Sequence, residues 1–264
     1  MPKVKNLIAA LPEPEVIDID ALRRELADGS VELVCVLGPT ASGKTRYAVQ
    51  LAHALGGGAE IISADSRQVY RRMDIGTGKD LAEYGDVPYH LIDIAEPGTQ
   101  YNVYRFREDF KKVYEDIRSR GGIPILCGGT GLYISAVTGE YDFKEKKPLS
   151  AAASAPAGAP RTFFIGTLVS REVRNARIDA RLDARLREGM TDEIQALLDE
   201  GVPAETLISY GLEYKFVTLY LTGQLSYEQM REHLAIAIHQ FAKRQMTWFR
   251  GMERSGITIH WVEV

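Results

Sequence analysis

Apolar residues fall into short, nearly unbroken runs, each closed by glycine or polar residues. Between the runs lie longer stretches where apolar side chains recur every three or four positions. Residues 31–37, 59–63, 88–94, 123–127 and 162–168 form runs of the first kind, too short for buried helices and rich in branched and aromatic side chains, and they read as core strands. Helical spacing marks 103–119, where Val103, Phe106, Phe110, Val113 and Ile117 share a face that ends at Gly121-Gly122. A short amphipathic helix capped by an aspartate is expected over 17–26. Ser170 is placed to cap a basic helix carrying Arg171, Arg174, Arg177, Arg181, Arg185 and Arg187, Thr191 a second helix reaching Leu198, and Ser226 a long one ending near Arg250. Residues 257–262 predict a closing edge strand. Strands alternating with helices of this length predict an α/β fold, a doubly wound, mostly parallel sheet flanked by helices, with a helical C-terminal part.

The strand at 31–37 runs directly into Gly38-Pro39-Thr40-Ala41-Ser42-Gly43-Lys44-Thr45, a full match to G-x-x-x-x-G-K-[ST], and Arg46 to Ala52 continue as a helix. Strand, glycine turn and helix in that order are the context this phosphate-binding motif requires, and they make the expected fold P-loop NTPase-like. Glycine lets successive backbone N–H groups curl into one concavity and the helix N-terminus adds partial positive charge. Lys44 supplies a full charge, and the Thr45 hydroxyl can ligate Mg²⁺. The loop is suited to a di- or triphosphate. The next strand ends in Ala64-Asp65-Ser66-Arg67-Gln68, and ligands of open α/β sheets sit beyond the carboxyl ends of strands, so Asp65 is expected to face the same crevice as Lys44. The strand at 123–127 leads into Gly128-Gly129-Thr130-Gly131, a second glycine turn at that sheet end with a hydroxyl in its middle.

Composition narrows the setting. At 264 residues and 45% hydrophobic, the chain can bury one large core with a small satellite. No apolar run approaches the ~20 residues of a membrane span, so a cytoplasmic protein with no membrane partner is expected. The two cysteines, Cys35 and Cys127, both fall in expected core strands and read as small buried side chains. A net charge of −4 gives no whole-surface attraction to nucleic acid, although a local basic face can coexist with it. Four segments follow: an N-terminal accessory segment (1–30), the first part of the P-loop core (31–143), an Ala/Pro/Ser-rich linker without periodicity (144–160), and the second part of the core (161–264).

With the P-loop, residues 63–70 (Ser-Ala-Asp-Ser-Arg-Gln-Val-Tyr), 73–77 (Met-Asp-Ile-Gly-Thr), 128–133 (Gly-Gly-Thr-Gly-Leu-Tyr) and 242–250 (Ala-Lys-Arg-Gln-Met-Thr-Trp-Phe-Arg) in order, the sequence resembles the tRNA dimethylallyltransferase (isopentenyltransferase) family over about residues 31–141 and 162–262. The resemblance implies transfer of a dimethylallyl group from dimethylallyl diphosphate to N6 of an adenine, with Mg²⁺, and in that family the adenine lies beside the anticodon of tRNA. A phosphate cradle can grip a diphosphate leaving group whose charge grows as its C–O bond breaks. The N6 amine is a poor nucleophile whose proton must leave as the new bond forms, a task for a general base. Asp65 is the candidate base, and the resemblance implies that Thr130 bonds the bridging oxygen or holds the diphosphate. Arg177 matches the family's diphosphate-clamping arginine, and Ser66, Arg67 and Gln68, with Asp65, match the segment that holds the target adenine. Lys243 and Arg244 are candidates for the diphosphate or the RNA backbone, while Trp248, Phe249 and Trp261 read as core and His90 as structural. The family is mostly monomeric, and a monomer is expected here.

Two departures stand out. Between Gly139 and Arg161 the family carries a helical insertion that grips the anticodon arm, and here only the Ala/Pro-rich segment is present. At 211–216 the chain has Gly-Leu-Glu-Tyr-Lys-Phe where the usual pattern is Gly-Ile-Gly-Tyr-Lys-Glu, so Glu213 is expected to add negative charge where a phosphate backbone would pass. The missing insertion supports an alternative acceptor, a free adenine nucleotide such as AMP. A small-molecule kinase would need a lid with catalytic arginines, which the linker does not offer, and a homologue that binds without turnover is opposed by intact Lys44, Thr45, Asp65 and Thr130.

Overall fold

Along β1 (Leu33–Leu37) all five side chains are buried, and they divide between two hydrophobic clusters, Leu33, Cys35 and Leu37 in one, Val34 and Val36 in the other. That division is the period-two signature of a strand covered on both faces. The computed structural model describes residues 12–139, 141–142, 147–148 and 158–264. The expected linker, 144–160, lies outside the described residues except for 147–148 and 158–160, as do residues 1–11 of the N-terminal segment.

The chain starts with α1 (Ile19–Asp28), capped by Asp18, whose carboxylate accepts the Ala21 N–H at 2.9 Å, and its Leu22 and Leu26 join the cluster that also holds Ala48, Leu51 and Leu55. After β1 come α2 (Lys44–Leu55), β2 (Ala59–Ser63), a 3-10 turn (Leu81–Tyr84), β3 (Tyr89–His90), α3 (Val103–Ser119), β4 (Ile123–Gly128) and α4 (Gly131–Val137). A two-stranded antiparallel pair, β5 (Tyr141–Asp142) with β6 (Lys147–Pro148), precedes β7 (Thr162–Leu168). Five helices follow, α5 (Arg171–Arg187), α6 (Met190–Asp199), α7 (Ala204–Ser209), α8 (Leu212–Leu221) and α9 (Tyr227–Arg254), and β8 (Ile259–Glu263) closes the chain. Strands β3, β2, β4, β1, β7 and β8 pair in that order, all parallel, so every strand's carboxyl end opens on one edge of the sheet. The doubly wound, parallel α/β architecture expected from the chain is the one observed.

Two local expectations differ from what forms. The run at 88–94 pairs only at Tyr89–His90, because Leu91 and Asp93 adopt φ of 61° and 56°, which turns the chain out of the ladder. Helix α6 is entered through Gly189, at φ 99°, with no capping side chain, so Thr191 lies inside the first turn. Helices α7 and α8 have no counterpart among the expected elements.

Candidate active site

The loop after β1 is shaped by what surrounds it. A side chain at Gly38 would meet the Thr167 hydroxyl at 2.1 Å, so β7 admits only glycine there, and the Ser42 hydroxyl bonds Thr167 Oγ1 at 2.6 Å. Ala41 and Gly43 take φ of 61° and 80°, left-handed turns that carry the chain into α2. Thr40, Ala41, Gly43, Lys44 and Thr45 then line a cavity of about 630 Å³, whereas Gly38, Pro39 and Ser42 hold the loop from behind. Burial pushes the Lys44 ammonium below its ordinary value, and the Asp65 carboxylate is among the neighbours that oppose the shift.

The end of β2 supplies the opposite wall. Asp65 and Lys44 face the same cavity, and Asp65 Oδ1 accepts the Arg67 N–H at 3.0 Å, a local turn that fixes the carboxylate. Arg67 and Gln68 also line the cavity, while Ser66 does not. Thr130 stands just outside the lining, its hydroxyl accepting the Ser66 N–H at 3.1 Å, so the second glycine turn touches the Asp65 segment directly. Close approach explains its glycines: a Cβ at Gly128 would lie 2.4 Å from the Ala64 carbonyl oxygen.

Arg177 is exposed at the cavity rim, makes no ion pair with another described residue, and begins a row at i, i+4 and i+8 that continues into the cavity as Arg181 and Arg185. Arg181 pairs with Asp80 at 2.6 Å. Burial, with Arg181 beside it, presses the Arg185 guanidinium down. Neither Lys243 nor Arg244 lines the cavity; both are exposed on α9, the Arg244 guanidinium lying 5.9 Å from the Phe241 ring centre. Phe249 and Trp261 are core residues, and half-buried Trp248 donates from Nε1 to Ser135 at 3.1 Å. His90 bonds Glu60 at 2.7 Å, away from the cavity.

Glu213 departs from its expected position. Its side chain is 4% exposed and turned inward, accepting a hydrogen bond from Arg67 and lying 3.6 Å from Arg185, so its charge is spent on two arginines of the cavity wall and does not face solvent. The helix around it explains why: Tyr214 and Val217 are fully buried, which fixes α8 with position 213 against Arg67 and Arg185.

The glycine-rich loop at 73–80 is held by contacts that a sequence reading does not reveal. Glu193 accepts the N–H groups of Asp74, Ile75 and Gly76 at 2.8, 2.7 and 3.0 Å and the Tyr214 hydroxyl at 2.6 Å. Gln68 Nε2 and Arg181 Nη2 reach the Gly78 carbonyl at 3.2 and 3.4 Å, and a Cβ on Gly78 would collide with Arg185. Cys127 lines the cavity as well, with burial pushing its thiol up to about 12, which suits a packing role and not a nucleophile. Chemically, the cavity joins a cationic phosphate cradle to a carboxylate, the two ends required for displacing a phosphate leaving group with loss of a proton.

A family model described as IPP transferase matches residues 68–155 and 143–252, and one described as isopentenyl transferase matches 31–84. A tRNA dimethylallyltransferase of Parabacteroides distasonis is 48% identical, the match covering 89% of this chain and 93% of the relative. The chain belongs to the tRNA dimethylallyltransferase family. Among solved structures of that family, the tRNA isopentenylpyrophosphate transferases of Staphylococcus epidermidis and Bacillus halodurans superpose with TM-scores of 0.76 and 0.75 at 30% and 31% identity, each over 88% of this chain and over 92% and 89% of theirs. The Parabacteroides alignment spans 287 positions, whereas 89% of this 264-residue chain is about 235 residues, so some fifty aligned positions have no residue here. Within the aligned region this chain is therefore shorter than that relative.

Sequence reasoning missed Phe241, Gln245, Arg181 and Arg185 as cavity residues. The arginine row was legible as a four-residue repeat with Arg177. Gln245 sat inside a motif already singled out, but nothing in the string says that its amide points at the loop.

Proposed function

We propose that this protein transfers the dimethylallyl group of dimethylallyl diphosphate to N6 of an adenine in tRNA, releasing diphosphate. The observation that carries the reading is one cavity shared by Lys44 and Thr45 on one side and Asp65 on the other. The relatives' names supply tRNA and the dimethylallyl group, and the cavity lining supports a division of labour. Loop N–H groups and Lys44 hold the diphosphate, Arg177, Arg181 and Arg185 face it from α5, and charge building on the leaving oxygens is stabilised by donors already in place. Asp65 takes the N6 proton as the C–N bond forms and the C–O bond breaks. Arg67 and Gln68 flank the adenine, and Thr130 acts from behind through Ser66.

Mg²⁺ fits the oxygen donors available. The Thr45 hydroxyl lines the cavity and makes no hydrogen bond to another described residue, and no cluster of three or more His, Cys, Asp or Glu suited to a metal is found among the described residues. Mg²⁺ usually keeps several waters and leans on substrate phosphates, so few protein ligands suffice. When bound it would neutralise charge on the diphosphate. No helix among the described residues is long and apolar enough to cross a membrane. The protein acts as a cytoplasmic monomer in this reading.

The test is incubation of the purified protein with labelled dimethylallyl diphosphate and, in parallel, unmodified tRNA or AMP. Label in tRNA is expected. Label in AMP alone would move the acceptor to a free nucleotide, in keeping with the shortened chain, and label in neither would refute the reading.

A further inference from the structure

We propose that Gln245 is a positioning residue that ties the diphosphate cradle to the turn behind the base, an inference that rests on the reading of function above. Gln245 sits in the interior of α9, 7% exposed, with its amide on the cavity wall. Its Oε1 accepts the Thr40 N–H at 2.8 Å and its Nε2 donates to the Gly129 carbonyl at 2.9 Å. One side chain thus bridges the two glycine turns, which are not neighbours in sequence. From Gly129 the connection continues one residue to Thr130, whose hydroxyl holds the Ser66 N–H next to Asp65.

The second turn is built to receive this bridge. A Cβ at Gly129 would stand 2.4 Å from Gln245 Nε2, and a Cβ at Gly131 would stand 2.4 Å from the Trp248 ring one helical turn further along α9. A Cβ at Gly129 would displace the Gln245 amide, and one at Gly131 would collide with the Trp248 ring. The helix therefore acts as a strut whose amide sets the spacing between leaving group and proton acceptor. Neither of its hydrogen bonds is to Lys44 or Asp65, so its loss should separate alignment from binding. A misplacement of about 1 Å at a reacting centre costs on the order of a hundredfold in rate.

The experiment compares wild type, Gln245→Met, which neither donates nor accepts in that geometry, and Gly129→Ala, which displaces the amide from the other side. For each, folding is followed by thermal unfolding, inorganic diphosphate binding by calorimetry, and kcat with dimethylallyl diphosphate and tRNA. Expected is a loss in kcat of about a hundredfold in Gln245→Met with diphosphate affinity within about threefold of wild type. The double variant should be no slower than the slower single, because both changes break one contact. A second readout does not need turnover: hydrogen exchange with and without inorganic diphosphate. In wild type the ligand should slow exchange in 38–45 and in 128–131, and in Gln245→Met only in 38–45. Wild-type kcat in either folded single variant, diphosphate affinity falling in step with kcat, or undiminished protection of 128–131 in Gln245→Met would each overturn the proposal. Should Gln245→Met not fold, Gly129→Ala carries the same test. An inactive wild type that still transmits protection between the turns would refute the transferase reading while leaving the bridge in place.

Discussion

Replacing Glu213 with glutamine removes one negative charge from between two arginines and keeps the shape of the side chain. The side chains of Glu213, Arg67 and Arg185 are 4%, 15% and 12% exposed, so the three form a nearly buried ionic group. Breaking a buried pair by neutralising one partner costs roughly 3–5 kcal/mol, because the remaining charge stays desolvated. Both arginines line the cavity, which gives them a path to water, and an expected loss of about 2–3 kcal/mol follows. For a chain of this size that is a fall in Tm of roughly 5–10 °C. The same substitution leaves the cavity more cationic, so diphosphate should bind the variant more tightly than wild type, and at saturation it should restore most of the lost stability. Thermal unfolding of both proteins across a diphosphate titration measures both effects. A variant that melts within about 1 °C of wild type and gains no extra stabilisation from diphosphate would refute the buried-triad argument.

Lys44 gives a pH prediction. Burial depresses its pKa in the free protein and a bound dianion favours the charged form, so diphosphate binding should take up protons and weaken as pH rises through the depressed value. Calorimetry in buffers of different ionisation heat should show an uptake that Lys44→Ala lacks; equal uptake in both proteins would contradict it. Cys127, pushed up to about 12 by burial, should resist iodoacetamide near neutral pH in the folded protein and react once urea unfolds it, as mass spectrometry would show; rapid labelling of the folded protein would contradict its assignment as packing.

How far the chain could be read in advance depended on whether the deciding contacts were local. The P-loop, the caps at Asp18, Ser170 and Ser226, and the strand runs of β1, β2, β4 and β7 are set within a few residues, and all were legible. Glu193, Glu213 and Gln245 were not, because each meaning lies in a partner on another element: three backbone N–H groups for Glu193, two guanidiniums for Glu213, two glycine turns for Gln245. Glu213 shows the direction of such errors. A carboxylate reads as solvated wherever it stands in the string, and only the burial of Tyr214 and Val217 reveals which side of α8 is inside.

Asp65→Ala tests the central claim, one carboxylate and one phosphate cradle acting across a single cavity. The account predicts that kcat for transfer to tRNA falls by about a hundredfold or more, while affinity for inorganic diphosphate stays within about threefold of wild type. A variant turning over at the wild-type rate would contradict it.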